Sequence, residues 1–429
     1  MRITLLIAGT RGDVQPAIAL GVGLKKAGYE VRLVTFEAFR AMALENNLDY
    51  RPIRLDMAAI LAKRGRPNLF DNGAMAVRFI PEMLKVFNVM LEQMTVDFWE
   101  ASPGSDIILG CPATNWLGVA IAKKLGIPYV DSYVLPMFDT RSFPAVLWPK
   151  AITPTDGKGL AGLLNLFTYK LVGGLSFAGV RPLINRCRKN VLGLPPLSFA
   201  DGNSMHHQTA FSLVGYSESV LLRPLDWPDN VHVTGYWFLD YPAYQPPTEL
   251  RSFLEAGPPP VYIGFGSMPS KDPAHLAGLV GEALRMAGQR GILFTGTGVL
   301  GQGMAQHTTT SDLYFLDSAP HDWLFPRMAA VVHHGGSGTT AAGLRAGKPS
   351  ILVPVGTDQL LWAQRVKDLG LGPKPIPRGQ LNARRLGQAI EQAVTSSSIR
   401  ERACEMGIII RAEDGVGNAV KVMDRYFDK

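Results

Sequence analysis

Residues 331–359 read VVHHGGSGTTAAGLRAGKPSILVPVGTDQ. Val331 and Val332 are apolar and β-branched, as a buried strand requires. Gly335, Gly336 and Gly338 allow close approach of backbone to a ligand, and a helix is expected to open at Ser337, Thr339 and Thr340. The unpaired N–H groups and positive dipole end of such a helix form a ready anion site. His333 and His334 fall at the carboxyl end of the strand, where open α/β sheets bind ligands. The segment 347–349 closes the helix, 350–355 returns as a strand, and Gly356-Thr357-Asp358-Gln359 follows. One loop is therefore suited to a phosphate, and the next offers a carboxylate and an amide to a polyhydroxylated ligand.

The ordered set HHGGSGTT, GKPSILVP and DQ resembles the nucleotide-sugar site of family-1 glycosyltransferases with the GT-B fold, closest to the sterol and antibiotic branch. The resemblance covers nearly the whole chain. It is strong over 1–28 and 331–359 and weak over about 56–196.

The chain has 429 residues, 47% of them hydrophobic, enough for two or three domains. With 18% charged and 9% aromatic residues it reads as folded. The net charge is +7, with basic residues scattered except in RPLINRCRKN from Arg181. No basic run carries interleaved aromatics, so nucleic-acid binding is not expected. The basic surface suits ordinary solubility, and peripheral contact with anionic lipid stays open. Three scattered cysteines argue against a disulfide scaffold or a metal-ligand set. The apolar start runs directly into GTRGD and reads as a first strand, not a signal peptide. Without eighteen unbroken apolar residues, no transmembrane helix is expected. A cytoplasmic monomer or weak dimer is the resulting expectation.

Residues 2–8 read as a strand, 9–13 as its turn, 14–27 as a helix and 29–35 as the next strand. Further strands are expected at 106–109, 129–134, 220–222 and 231–234, with a helix at 118–125. The same grammar restarts near 261, with strands at 261–265, 292–295 and 313–316 and a helix at 275–287. Two such beginnings predict an α/β protein with two doubly wound, Rossmann-like domains facing across a cleft. The expected division is an acceptor domain at 1–236, a proline-rich linker at 237–260 and a donor domain at 261–410. A helix closes the chain at 411–429, and the GT-B resemblance implies that it crosses back to the first domain.

Asp13 lies at the tip of the first strand. Transfer of a sugar to a hydroxyl needs a base beside that hydroxyl, and a carboxylate at a helix start can serve; capping the helix is the other reading of its position. The resemblance of GTRGDVQP to the GSRGD-type segment of sterol and glycopeptide glycosyltransferases implies that Asp13 is the base. Plant relatives use a histidine in this loop with a later aspartate. Here no histidine precedes His206 and GCPATN at 110–115 holds no acid, so a lone carboxylate is the consistent choice. Thr10, Arg11 and Gly12 share the Asp13 loop, and Arg11 either reaches the donor diphosphate from across the cleft or is solvated.

The resemblance implies the other donor contacts. Gly266 and Ser267 form a turn near the phosphates. Ser318 and Ala319, with His321, cradle the base; Ser318 stands where plant relatives have a tryptophan, which leaves Val299 and His321 as candidates beside the base. Trp323 is expected in the core. His334 binds the diphosphate, and Gly336, Ser337, Gly338 and Thr339 supply hydroxyl and backbone donors. Ala342 replaces the ribose-binding glutamate of plant relatives, so the choice between uridine and thymidine diphosphate sugars is open. Asp358 and Gln359 match the pair that holds sugar hydroxyls and favour a hexose such as glucose. No D-x-D spacing occurs, so no metal and no cofactor beyond the UDP-sugar co-substrate are expected. The partners expected are that donor and a hydrophobic small molecule. The large apolar residues of 56–95 and 136–196 (Phe70, Met90, Phe138, Phe177 among them) suit a sterol, terpenoid, polyketide or glycolipid acceptor. The expected reaction is inverting, metal-independent hexose transfer. The alternatives are a dTDP-deoxysugar-dependent antibiotic glycosyltransferase, a nucleotide-sugar epimerase on the same architecture, and a binding module that has kept the fold.

Overall fold

The computed structural model describes residues 1–55, 89–146, 148, 157–204, 209–265, 273–296, 310–356 and 358–427. Twelve strands are assigned among them: β1 (Arg2–Leu6), β2 (Glu30–Phe36), β3 (Asp49–Ile53), β4 (Ile107–Gly110), β5 (Tyr129–Tyr133), β6 (Phe211–Val214), β7 (Val231–Val233), β8 (Val261–Gly264), β9 (Gly291–Phe294), β10 (Leu313–Leu316), β11 (Ala330–His333) and β12 (Ser350–Leu352). They form two sheets. One runs β3-β2-β1-β4-β5-β6-β7 and the other β10-β9-β8-β11-β12, and every pairing is parallel. These are two doubly wound α/β units.

Parallel strands covered on both faces are predominantly apolar; β4 is so throughout, and in β1 the one buried polar residue, Thr4, bonds the Ser105 hydroxyl at 2.7 Å. Ile3, Leu5 and Ile7 enter one core with Val14, Ile18 and the C-terminal Ala419 and Met423. Leu6 and Ala8 enter the opposite core with Leu117, Ile121 and Phe98. The final helix, Gly415–Phe427, thus packs on the first sheet, where Tyr29 donates to Asp424 at 2.7 Å and Phe211 stacks on Tyr426 at 4.1 Å. In the second sheet, Val261, Ile263 and Val332 pack against Val280 and Ile390.

A further core joins the two units. Tyr133, Phe138, Val214 and Tyr216 meet Leu344, Leu361, Trp362 and Met406. Burial of one such aliphatic side chain contributes roughly 1.5–3 kcal/mol, so this shared core outweighs any single bond across the cleft.

Several boundaries differ from the sequence reading. The first helix opens at Arg11, not residue 14, because Thr10 caps it. Residues 220–222 are a turn instead of a strand: Val220 and Leu221 donate to Ser217 at 3.0 and 3.1 Å while both side chains plug the shared core. The strand beside β5 is Phe211–Val214. Strand β3, DYRPI, escaped notice because it is a largely exposed edge strand containing proline. By length and composition one described helix, residues 159–192, could also cross a membrane, against the expectation of none; glycines, Lys170 and Arg181 interrupt its apolar run.

Candidate active site

Strand order reverses at two places, between β1 and β4 and between β8 and β11. Such switch points open a crevice at the carboxyl ends of the strands. The loop after β1 ends at Thr10 and the first helical turn carries Arg11–Asp13; the loop after β11 carries His334–Gly336 and its helix opens with Ser337–Thr339.

The Arg11–Lys26 helix begins with a capping box. Asp13 Oδ2 accepts from the Thr10 backbone N–H at 2.8 Å and from the Thr10 hydroxyl at 3.1 Å, and Thr10 Oγ1 accepts from Gly12 N–H at 3.3 Å. Both bonds to the carboxylate fall on Oδ2, so Oδ1 is uncommitted among the described residues. Gly9, at φ +154°, makes this possible: a Cβ there would lie 2.3 Å from Asp13 Oδ2. Burial raises the Asp13 pKa above 3.8, and the bonds from Thr10 oppose that shift. Asp13 is at once a helix cap and a partly desolvated carboxylate with an oxygen to spare.

Arg11 is exposed and bonds Gln15 at 2.8 Å. Burial raises the pKa values of the Tyr241 and Tyr262 phenols and lowers that of His321; the Arg11 charge opposes the first two shifts and adds to the third, so the first domain projects a cation toward the second. His321 stacks on Phe325 at 4.1 Å and meets Tyr262 edge-on at 6.0 Å. Burial first, then Arg11 and His334, hold it well below its ordinary pKa, hence neutral. Ala319 is buried and Ser318 exposed. Trp323 instead packs with Tyr244 at 5.3 Å and under Arg327 at 4.3 Å.

His333 and His334 divide by strand alternation. His333 is fully buried, and its Nδ1 accepts from Gly335 N–H at 3.1 Å. His334 is half-buried and lies over Gly336, where a Cβ would come within 2.6 Å of its Nε2. Burial lowers its pKa, so the ring is neutral near pH 7 with a single N–H. His334 Nδ1 has no hydrogen-bond partner among the described residues.

Gly336 is the N-cap of the Ser337–Arg345 helix. The first N–H to find a helical acceptor there is that of Thr340, bonded to Gly336 O at 2.9 Å, so the N–H groups of Ser337, Gly338 and Thr339 point out of the helix start. The Ser337 hydroxyl is engaged elsewhere: it donates to Val134 O, just past β5, at 3.1 Å. Gly335, at φ +94°, packs against the next loop, where a Cβ would meet Gln359 O at 3.1 Å. Gln359 Oε1 accepts from Val355 N–H at 2.9 Å, leaving its amide N–H groups as donors. Asp358 opens the adjoining helix, Asp358–Asp368. Gly266, Ser267 and Val299 lie outside the described residues, as do Phe70, Met75, Phe79, Met83 and Phe87.

A buried polar cluster behind the Asp13 loop escaped the sequence reading. Asn115 donates to Asp131 at 2.6 Å and to Tyr133 at 3.3 Å. Tyr129 passes over Gly110, where a Cβ would lie 2.4 Å from its hydroxyl. Burial pushes Asp131 up to about 7, against the bond it accepts from the Asn115 amide. The signal available was a lone Asp inside the strand segment YVDSY.

A carboxylate at one switch point, facing a helix start and a neutral histidine at the other, is the arrangement of GT-B glycosyltransferases. In sequence and fold the chain is similar to the family-1 glycosyltransferases of the GT-B type. Residues 3–144 match the glycosyltransferase family 28 N-terminal domain, and residues 308–413 match the C-terminal domain of the erythromycin biosynthesis protein CIII-like type. The chain is 35% identical over 438 residues to a sterol 3-beta-glucosyltransferase of Yarrowia lipolytica, covering 100% of this chain and 29% of that protein. It is 34% identical over 443 residues to the Neurospora crassa sterol 3-beta-glucosyltransferase, covering 100% and 27%. It thus spans less than a third of the length of these curated relatives. Among solved structures, the calicheamicin glycosyltransferase aligns with a TM-score of 0.70 at 17% identity, covering 100% of this chain and 98% of that one. Glycosyltransferase VinC in complex with dTDP aligns at 0.66 and 18% identity, covering 100% of both chains. These likenesses are of fold.

Proposed function

We propose that this chain transfers a hexose, glucose from UDP-glucose, to the hydroxyl of a sterol-like lipophilic acceptor, with inversion and without a metal. The observation that carries the reading is the opposition of Asp13 at one switch point to the start of the Ser337–Arg345 helix at the other. The printed activity of the relatives from Yarrowia lipolytica and Neurospora crassa supports glucose as the sugar and a sterol as the acceptor.

The chemistry follows from charge placement. The acceptor oxygen forms a bond to the anomeric carbon while the bond from that carbon to the diphosphate breaks. The acceptor proton passes to Asp13, whose raised pKa makes it a stronger base than an exposed aspartate. The negative charge that develops on the leaving diphosphate meets the N–H groups of Ser337, Gly338 and Thr339 and the ring N–H of His334. Donors fixed before the reaction stabilise such charge without reorganisation. A single displacement inverts the anomeric centre. Asp358 and the Gln359 amide are assigned to the sugar hydroxyls, and Ser318, Ala319 and His321 to the base.

The test is incubation with UDP-glucose and a 3β-hydroxysterol, with and without chelator. The expected result is an inverted steryl glucoside plus UDP, unaffected by chelator. The absence of glucoside, with a thermal shift from dTDP but none from UDP, would favour the deoxysugar reading. The dTDP-bound fold neighbour and Ala342 in place of a ribose-binding acid keep that reading in view. A changed donor sugar formed without any acceptor would point to an epimerase.

A further inference from the structure

The Gly159–Cys187 helix has two unlike faces. Its inner face is anchored to the domain: Thr168 Oγ1 accepts from Ala145 N–H at 2.8 Å, and Phe177 stacks on Trp116 at 4.8 Å. Its outer face carries Leu160, Leu163, Leu164, Phe167, Leu171 and Leu175, each between 38% and 72% exposed. At helical periodicity these six fall within a sector of roughly 120°. An apolar stripe is normally buried against protein; here it faces outward.

Charge indicates what it meets. Residues 157–200 contain six Lys and Arg and no Asp or Glu. Arg188 is buried and Arg186 pairs with Glu92 at 3.4 Å, so the exposed Lys170 and Lys189 carry the charge match. Lys170 lies at the margin of the apolar sector, from where a long side chain can reach outward from a buried stem. An apolar helix face bordered by cations and free of acids complements an anionic bilayer surface. A second copy of this chain, itself carrying 43 basic and 36 acidic residues, has no such one-sided match.

We propose that the outer face of the Gly159–Cys187 helix docks this protein on an anionic membrane, lying in the interface and not crossing it. The inner-face contacts forbid crossing without loss of the domain's packing. Trp116, beneath Phe177, is the second residue of the Asn115–Leu125 helix, which follows β4 at the first switch point. The docked face is thereby joined to the side of the cleft where Asp13 lies. Under the proposed function, an acceptor dissolved in the bilayer would reach that side without passing through water.

The test is flotation of the full chain with vesicles of phosphatidylcholine alone and of phosphatidylcholine with phosphatidylserine at a three-to-one ratio. The wild type should float with the anionic vesicles, and high salt should release it. The triple variant L160Q/L164Q/L175Q should lose roughly tenfold or more of that binding. Its melting temperature and its thermal shift with UDP should match the wild type, which separates loss of docking from misfolding. A wild type lacking any nucleotide shift would count against the donor-site reading alone. Failure of the wild type to float, or equal flotation of both proteins, overturns the proposal. A lipid-free dimer of the wild type that the triple variant abolishes also overturns it and assigns the face to a second copy.

Discussion

Asp13 occupies the space that a side chain on Gly9 would need, since an ideal Cβ on Gly9 would sit 2.3 Å from Asp13 Oδ2. The capping box therefore holds the carboxylate in one place and points its second oxygen away from Thr10. Asp13→Asn keeps an acceptor for the cap and removes the proposed base. Turnover should fall by about 10²–10⁴ while nucleotide binding, read by thermal shift, stays the same. Gly9→Ala should also lower kcat with little change in nucleotide affinity, because it displaces Asp13. Unchanged turnover in either variant would remove Asp13 as the base. Because burial raises the Asp13 pKa, the acid limb of the rate profile should lie above the ordinary carboxylate value of 3.8.

His334 and Gly336 make a matched pair on the other side of the cleft. The imidazole lies over the glycine, with 2.6 Å between Nε2 and the position of a Cβ. Both His334→Ala and Gly336→Ala should weaken binding of the nucleoside diphosphate, the first by loss of a donor, the second by pushing the ring aside. Losing one hydrogen bond to a charged group costs about 1.5–3 kcal/mol, or roughly tenfold to a hundredfold in Kd. Calorimetric titration with UDP checks this, and wild-type affinity in both variants would break the assignment.

Ser337 separates a hydroxyl from a backbone role. Its hydroxyl donates across the cleft to Val134 O, so Ser337→Ala should destabilise the chain by about 1 kcal/mol. The shared apolar core should keep the domains together. Nucleotide affinity should hardly change if the helix-start N–H groups are the donors. A tenfold loss of affinity in Ser337→Ala would show that the hydroxyl itself binds the phosphate.

Asp131 sets a pH dependence of stability. Its pKa in the fold is about 7, against an ordinary 3.8. Between those values the folded chain holds a proton that the unfolded chain has released. The folded state is therefore most favoured below about pH 4 and loses stability as pH rises toward 7, by at most about 4 kcal/mol. Asp131→Asn should flatten this slope and raise Tm at pH 8 relative to the wild type. Parallel melting profiles of the two proteins between pH 4 and 8 would refute the role.

Both switch-point loops were readable because their signals are local. A strand's apolar run, the glycines that follow and the hydroxyls that open a helix are all short-range features. They fixed the α/β class and the two-unit plan, and they singled out Asp13 and His334 for attention. The start of the first helix was misplaced by three residues because capping depends on side-chain geometry, not residue type alone. The edge strand Asp49–Ile53 carried too little apolar pattern to stand out, and 220–222 carried too much, since its side chains serve a core between domains instead of a sheet.

By itself the sequence determined the local grammar of this protein: strand, glycine turn, helix start, and the residue types offered at each. Tertiary structure decided which of those residues meet. Only folding takes the Ser337 hydroxyl to the Val134 carbonyl, 203 positions away, buries Asp131 beside Asn115 and leaves the leucines from 160 to 175 facing outward. The reason is that burial and long-range pairing are properties of the whole packed chain. A residue's neighbours in sequence fix its backbone preference, but its neighbours in space fix its solvation, its protonation and the partners it has left to offer.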